Sequence, residues 1–166
     1  MRKLPSFKFT PEGFENLKKE LEGLAARRPG VLTRLVAARE QGDLSENAGY
    51  HAAKEELGKI DSRVRELKLM MRLGEVTQAE EAEIVGFGNE VVINAGEDNM
   101  QFTIVSAQEA DPLKGKISDS SPIGSALLGK RVGDIVSVYS PSGKADYRII
   151  EIKIRKLVSR KLEIVS

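Results

Sequence analysis

Two periodicities divide the chain. From about Thr10 to Leu73, apolar residues recur at three- and four-residue steps: Phe14, Leu17, Leu21 and Leu24, then Leu32, Leu35 and Ala38. After a break the stripe resumes with Ala48, Ala52, Ile60, Val64, Leu67 and Met71. Such spacing puts them on one side of a helix, in a stripe narrow enough for a two-helix seam. Thr10 is placed to cap the first helix and Pro11 to open it. Gln41-Gly42-Asp43 is a turn signal, so the pattern predicts two long helices folded back as an antiparallel hairpin. Pro29 lacks an N–H and crowds the preceding turn, so it is expected to interrupt or kink the first helix. Ala37, Ala38, Ala48, Ala52 and Ala53 are small enough to let the helices approach near the turn. Roughly 30 residues per arm at 1.5 Å rise give a reach on the order of 45 Å, with little burial per residue.

From about Thr77 the period changes. The segments EIVGFG, EVVINA, QFTIVS, DIVSVYS and DYRIIEIKI are short, β-branched and partly alternating, as strands are. Asn94 to Asn99 and Ser140 to Gly143 are turn clusters between them. One short helix fits SPIGSALLG, with Ser121 as cap and Pro122 as first helical residue. The predicted fold class is therefore α+β. Residues 1–77 form the coiled-coil hairpin arm, and residues 78–166 a small, mainly antiparallel sheet domain with one short helix. The terminal RKLVSRKLEIVS is basic and then apolar, and its pattern assigns no element.

Composition narrows the function classes. Charged residues make up 31% of the chain and aromatics 5%, which suits a long exposed helical surface. The net charge is +1, with +3 on residues 1–77 and −2 on the rest, so any nucleic-acid contact must come from local patches. There is no cysteine, which excludes disulfides, thiolate metal sites and cysteine nucleophiles. No stretch resembles a signal h-region or a membrane span. A cytoplasmic protein without membrane contact is expected.

The chemically informative segment surrounds the turn. Asp43 and Glu46 stand three residues apart at the far end of the arm. Spacing alone favours a structural reading, in which Asp43 caps the second helix and Glu46 is its capping-box partner. The other reading is metal chemistry. Two carboxylates cannot supply the six oxygens that magnesium requires, but they can complete a site that a partner already holds. Phosphodiester hydrolysis uses carboxylates in that way, one on a metal ion and another on the attacking water.

The fifteen residues GDLSENAGYHAAKEE resemble the coiled-coil tip signature of Gre transcript-cleavage factors. The rest of the chain is similar along its length, with RRPG in the first helix and SPIGSALLGKRVGDIVSV in the second half. The resemblance implies an FKBP-like second domain that docks on bacterial RNA polymerase, and an arm that enters its secondary channel. It implies that Asp43 helps hold a magnesium ion kept mainly by the polymerase. Glu46 would orient or activate water, and the backtracked nascent RNA would be cut to restore a usable 3′ end. Such a factor is not itself an enzyme but donates carboxylates in trans, acting as a monomer with no cofactor of its own. Arg39, Ser45, Asn47 and Tyr50 would support the tip or contact RNA and polymerase. Some relatives lack the acidic pair and occupy the channel without stimulating cleavage; this chain keeps both acids. Gly49 departs from the family pattern, and a glycine there would fray the second helix or delay its start.

Arg27, Arg28, Arg34 and Lys54 form a modest basic patch along the arm. It reads either as a salt-bridged surface, with partners such as Glu56 and Glu66, or as a set of RNA phosphate contacts. In the family that the chain resembles, larger basic patches go with longer released fragments, so the resemblance implies a GreA-like factor that releases short ones. Gly124 to Arg131 misses a phosphate-binding loop, since Arg131 stands where a Ser or Thr must reach the metal. His51, the single histidine, lies on a helix without a triad context. Phe87, Phe102, Tyr139 and Tyr147 are too few to line a prolyl-isomerase pocket.

Overall fold

The computed structural model describes residues 7–43, 45–77 and 83–154. Their element order is β1 (Phe7–Phe9), α1 (Pro11–Glu40), α2 (Ala48–Leu73), β2 (Gly74–Val76), β3 (Asn89–Ala95) and β4 (Asp98–Val105). A 3₁₀ turn (Pro112–Lys114), β5 (Lys116–Ser118), α3 (Pro122–Leu127), β6 (Ile135–Ser140) and β7 (Gly143–Ile154) follow. The chain forms two compact units. One is built on Glu12–Glu75; the other takes the chain from Val76 onward and also Lys8–Pro11. Terminal residues RKLVSRKLEIVS lie outside the described residues.

The first unit is the predicted helical pair. Its seam follows a heptad: Val31 and Ala38 are buried on α1, and Ala53, Ile60 and Leu67 on α2, each seven residues from the last. Half-buried Leu17, Leu21, Leu24 and Leu35 fill the intervening positions of α1, and Leu57, Val64 and Met71 those of α2. Ion pairs cross the seam. Arg28 reaches Asp61 with two hydrogen bonds, Nε to Oδ1 at 2.7 Å and Nη2 to Oδ2 at 3.2 Å. Arg63 does likewise to Glu20, at 2.7 and 2.9 Å. Each pair joins an earlier residue of α1 to a later residue of α2, so the helices run antiparallel.

Three details differ from the periodicity. Val31 is buried where Leu32 was expected; Leu32 is 40% exposed. Ala53 is buried in place of Ala48 and Ala52, both exposed. Strict alternation of three- and four-residue steps gives a two-helix seam, and Leu32 and Ala52 each lie one residue off it. Pro29 does not interrupt α1, which is continuous to Glu40. Pro29 and Ala25, whose carbonyl loses its usual donor, are both exposed, so water can take the missing bond. Thr10 precedes α1 as expected, and its hydroxyl and N–H donate to the two oxygens of Glu109, at 2.6 and 2.7 Å.

In the second unit the sheet order is β5-β4-β3-β7-β6. All neighbours are antiparallel except β4 and β5, which run parallel. Alternate residues Val91 and Ile93, Ile104, Val136 and Ile149 turn to one face and pack with Val85, Ile117 and Leu127. A bulge in β7 sets Val92 opposite Glu151 but Ile93 opposite Ile149, so Ile150 is the extra residue. That explains why Ile149 and Ile152 are buried while Ile150 is 42% exposed. EIVGFG, expected as a strand, contributes a single bridge at Ile84 among its described residues. Asn89 is buried there, and its side-chain oxygen accepts from Gly86 N at 2.7 Å.

Helix α3 starts as predicted, with Ser121 Oγ accepting from Gly124 N at 3.1 Å. A Cβ at Gly124 would sit 1.9 Å from the carbonyl oxygen of Ser118. That atom is backbone at the end of β5 and cannot move aside. Gly124→Ala is therefore expected to destabilise the second unit by about 1–3 kcal/mol, despite alanine's better helix propensity. A lowered urea midpoint with unchanged helical content of the hairpin checks this; an unchanged midpoint contradicts it.

Candidate functional site at the hairpin turn

The turn is built from four local devices. Helix α1 ends at Glu40, where Gln41 N donates back to Ala38 O at 3.3 Å. Gly42 then takes a φ of +106°, a conformation costly for a residue with a Cβ, and reverses the chain. Asp43 follows, and its Oδ1 accepts from both the backbone N–H and the hydroxyl of Ser45, at 2.9 and 2.7 Å. This is an Asx turn, the local motif that Asp forms most readily. Finally Asn47 starts α2. Its Oδ1 accepts from Tyr50 N at 2.9 Å, while its Nδ2 donates to Ala38 O at 2.8 Å.

The capping-box reading is thus corrected. Asn47, not Asp43, is the N-cap, and Tyr50, not Glu46, occupies the third helical position. Asp43, Ser45 and Asn47 are all good caps by type, and the Asx turn commits Asp43 and Ser45 to each other. The delayed start of α2 leaves Gly49 in its first turn. A Cβ there would meet Asn47 Oδ1 at 3.4 Å, an ordinary contact, so the glycine is not sterically required.

Asp43, Ser45 and Glu46 are exposed; Asn47 and Tyr50 are half-buried. The Ser45 hydroxyl, and then the Ser45 N–H, hold the Asp43 carboxyl below its ordinary pKa, so it stays ionised in more acidic conditions. These bonds occupy one oxygen of Asp43. Its Oδ2 accepts no hydrogen bond from the described residues, and neither Asp43 nor Glu46 has an ion-pair partner among them. Among the described residues no three His, Asp or Glu side chains gather closely enough to hold a metal. The donor set at the turn fits a shared cation site, with one free carboxylate oxygen on Asp43 and a second carboxylate three residues on.

The basic candidates divide into two sets. Arg27 and Arg34 both donate to Glu56, Arg34 to Oε2 at 2.7 Å, and Arg28 is held by Asp61. The Arg27 hydrogen bond is the main cause that keeps the Glu56 carboxyl below its ordinary pKa; that of Arg28 does the same for Asp61. Arg63 also pairs with Glu66 at 2.8 Å. The salt-bridged reading therefore describes these three positions. Arg39, one turn from the tip, and Lys54 form no ion pair among the described residues. Lys54 Nζ lies 5.9 Å from the Tyr50 ring centre, a cation–π distance, and Tyr50 meets His51 edge-on at 5.6 Å.

Two family models match the chain. One, described as the N-terminal part of a transcription elongation factor, covers residues 7–76; the other, the GreA/GreB C-terminal part, covers residues 80–154. The chain belongs to the GreA/GreB family of transcription elongation factors. Within it the chain is GreA-like. Transcription elongation factor GreA of Thermotoga maritima is 43% identical over 150 residues, covering 87% of this chain and 96% of its own. The GreA of Neorickettsia sennetsu is 42% identical over 161 residues, 94% of this chain and 99% of its own. The crystal structure of GreA factor homolog 1 from Thermus thermophilus is 32% identical and covers 90% of this chain and 99% of its own, with a TM-score of 0.43.

Ser45→Ala removes the larger of the two causes that depress the Asp43 pKa. Its pKa should then rise toward the ordinary aspartate value, without reaching it, because the backbone donor remains. A depressed folded-state pKa means that the Asx turn contributes stability above the unfolded value and loses it as pH falls through the folded one. Carboxyl-carbon NMR titration of both chains checks the shift; an unmoved Asp43 titration contradicts the assignment.

Proposed function

We propose that this chain rescues backtracked RNA polymerase by bringing Asp43 and Glu46 to the polymerase active centre, where the enzyme cuts its own nascent RNA. The observation that carries the reading is the turn itself. Two carboxylates stand exposed on a short loop between two long, laced helices, and one of them has its charge held in place. A loose acid on a flexible loop would bring little; Asp43, fixed by two local hydrogen bonds, brings preorganised negative charge, with Glu46 three residues on. Because two carboxylates make only part of a magnesium site, the remaining ligands must come from the partner.

Asp43, through its free Oδ2, would share a magnesium ion held mainly by the polymerase. When bound, that ion stabilises charge on the phosphate and lowers the pKa of water. Glu46 accepts a hydrogen bond from the attacking water and directs it at the phosphorus. Attack forms a new P–O bond and breaks the bond to the 3′ oxygen of the upstream ribose, which takes up a proton, while the phosphate leaves on the 5′ end of the released fragment. The retained RNA ends in a 3′ hydroxyl and extension resumes. The chain supplies side chains in trans and completes no reaction alone, so it is a factor and not an enzyme. It acts in the cytoplasm as a single copy, with the rod in the polymerase secondary channel. Arg39 and Lys54, which form no ion pair among the described residues, would meet RNA phosphates; Arg27, Arg28 and Arg34 would stay with their acids.

Asp43→Ala and Glu46→Ala should each bind polymerase as the native chain does. Each should lower stimulated cleavage of a defined backtracked complex by about 10²-fold or more, the usual scale for removing a transition-state contact. Retained cleavage by the double variant would leave only a channel-occupying regulator.

A further inference from the structure

We infer that Asn47 is a positioning residue of the cleavage site, a clasp that ties the end of α1 to the start of α2 and so fixes where the two acids stand. The inference rests on the proposed reading of Asp43 and Glu46. A hairpin turn has two frayed ends, the last carbonyls of one helix and the first N–H groups of the next. One amide side chain serves both here. Asn47 Oδ1 takes Tyr50 N of α2, at 2.9 Å, and Nδ2 gives to Ala38 O of α1, at 2.8 Å. Ala38 is itself a buried seam residue, so the clasp is anchored in the helix pair and not in the loop.

Every described residue between the two anchors is exposed. Gly42, Asp43, Ser45 and Glu46 have no other tie to the helices among the described residues than Gln41 N to Ala38 O. The Asx turn orders Asp43 against Ser45 but joins neither to a helix. Fixing the span between the end of α1 and the start of α2 is thus the work of Asn47. Aspartate is the informative replacement. It keeps the acceptor for Tyr50 N and suits the helix dipole, but it has no donor for Ala38 O and sets an oxygen against it. Asn47→Asp should start α2 normally while releasing it from α1. Asn47→Ala loses both bonds.

The test measures stimulated cleavage of a backtracked complex against magnesium concentration, with polymerase affinity and helical content measured alongside. Asn47→Asp should keep native affinity and helical content. Its maximal cleavage should fall on the order of 10- to 100-fold, the cost of misplacing catalytic groups by about an ångström, with more magnesium needed for half-maximal rate. Asn47→Ala should be at least as impaired. If Asn47→Asp cleaves like the native chain while Asp43→Asn does not, Asn47 positions nothing and the reading of the acids survives. If Asp43→Asn and Glu46→Gln also cleave normally, both fall together.

Discussion

The register between α1 and α2 is the constraint on which the rest depends. A hairpin turn of seven residues can present its side chains in one place only if the helices flanking it do not slide. Leucine, valine and alanine contacts along the seam would tolerate a shift of one heptad with little penalty. The charges would not. Arg28 stands at a seam position between Leu24 and Val31, where its bidentate bond to Asp61 permits a single alignment. Arg63 with Glu20, and Arg27 and Arg34 with Glu56, repeat that alignment along the rod. Exposed pairs of this kind add little stability each, because water and salt screen them. Their role is selection among registers, and a mismatched register would strand several charges at once.

Three of the four cations in the candidate patch are consumed in holding the rod together. Of the candidate cations, Arg39 and Lys54 form no ion pair among the described residues. Ion pairs join the helices along the rod, while at the turn Asp43 and Glu46 have no ion-pair partner among the described residues.

Much of this was legible in the residues. The heptad-like spacing from Leu17 to Ala38, the Gln41-Gly42 turn and the Ser121-Pro122 helix start are local signals, and each predicted its element. The misses have local causes too. Leu32 and Val31 are adjacent and both apolar, so period alone could not choose between them; the partner helix does. Ile149-Ile150 reads as an unbroken run because a bulge leaves no mark in composition. Asp43, Ser45 and Asn47 are equally good caps by type, and only the geometry shows that two pair with each other and the third bridges the helices. Arg28 at a seam position reads as a surface cation until Asp61 is seen opposite it.

Donation of a carboxylate to a shared metal has a direct signature in solution. Cleavage of a defined backtracked complex should be followed across magnesium concentration, with and without the native chain. If Asp43 supplies an oxygen to the ion, adding the chain should raise the maximal rate and also lower the magnesium needed for half of it. An accelerated rate with an unmoved magnesium midpoint, or no acceleration at all, would contradict a metal site completed from the tip.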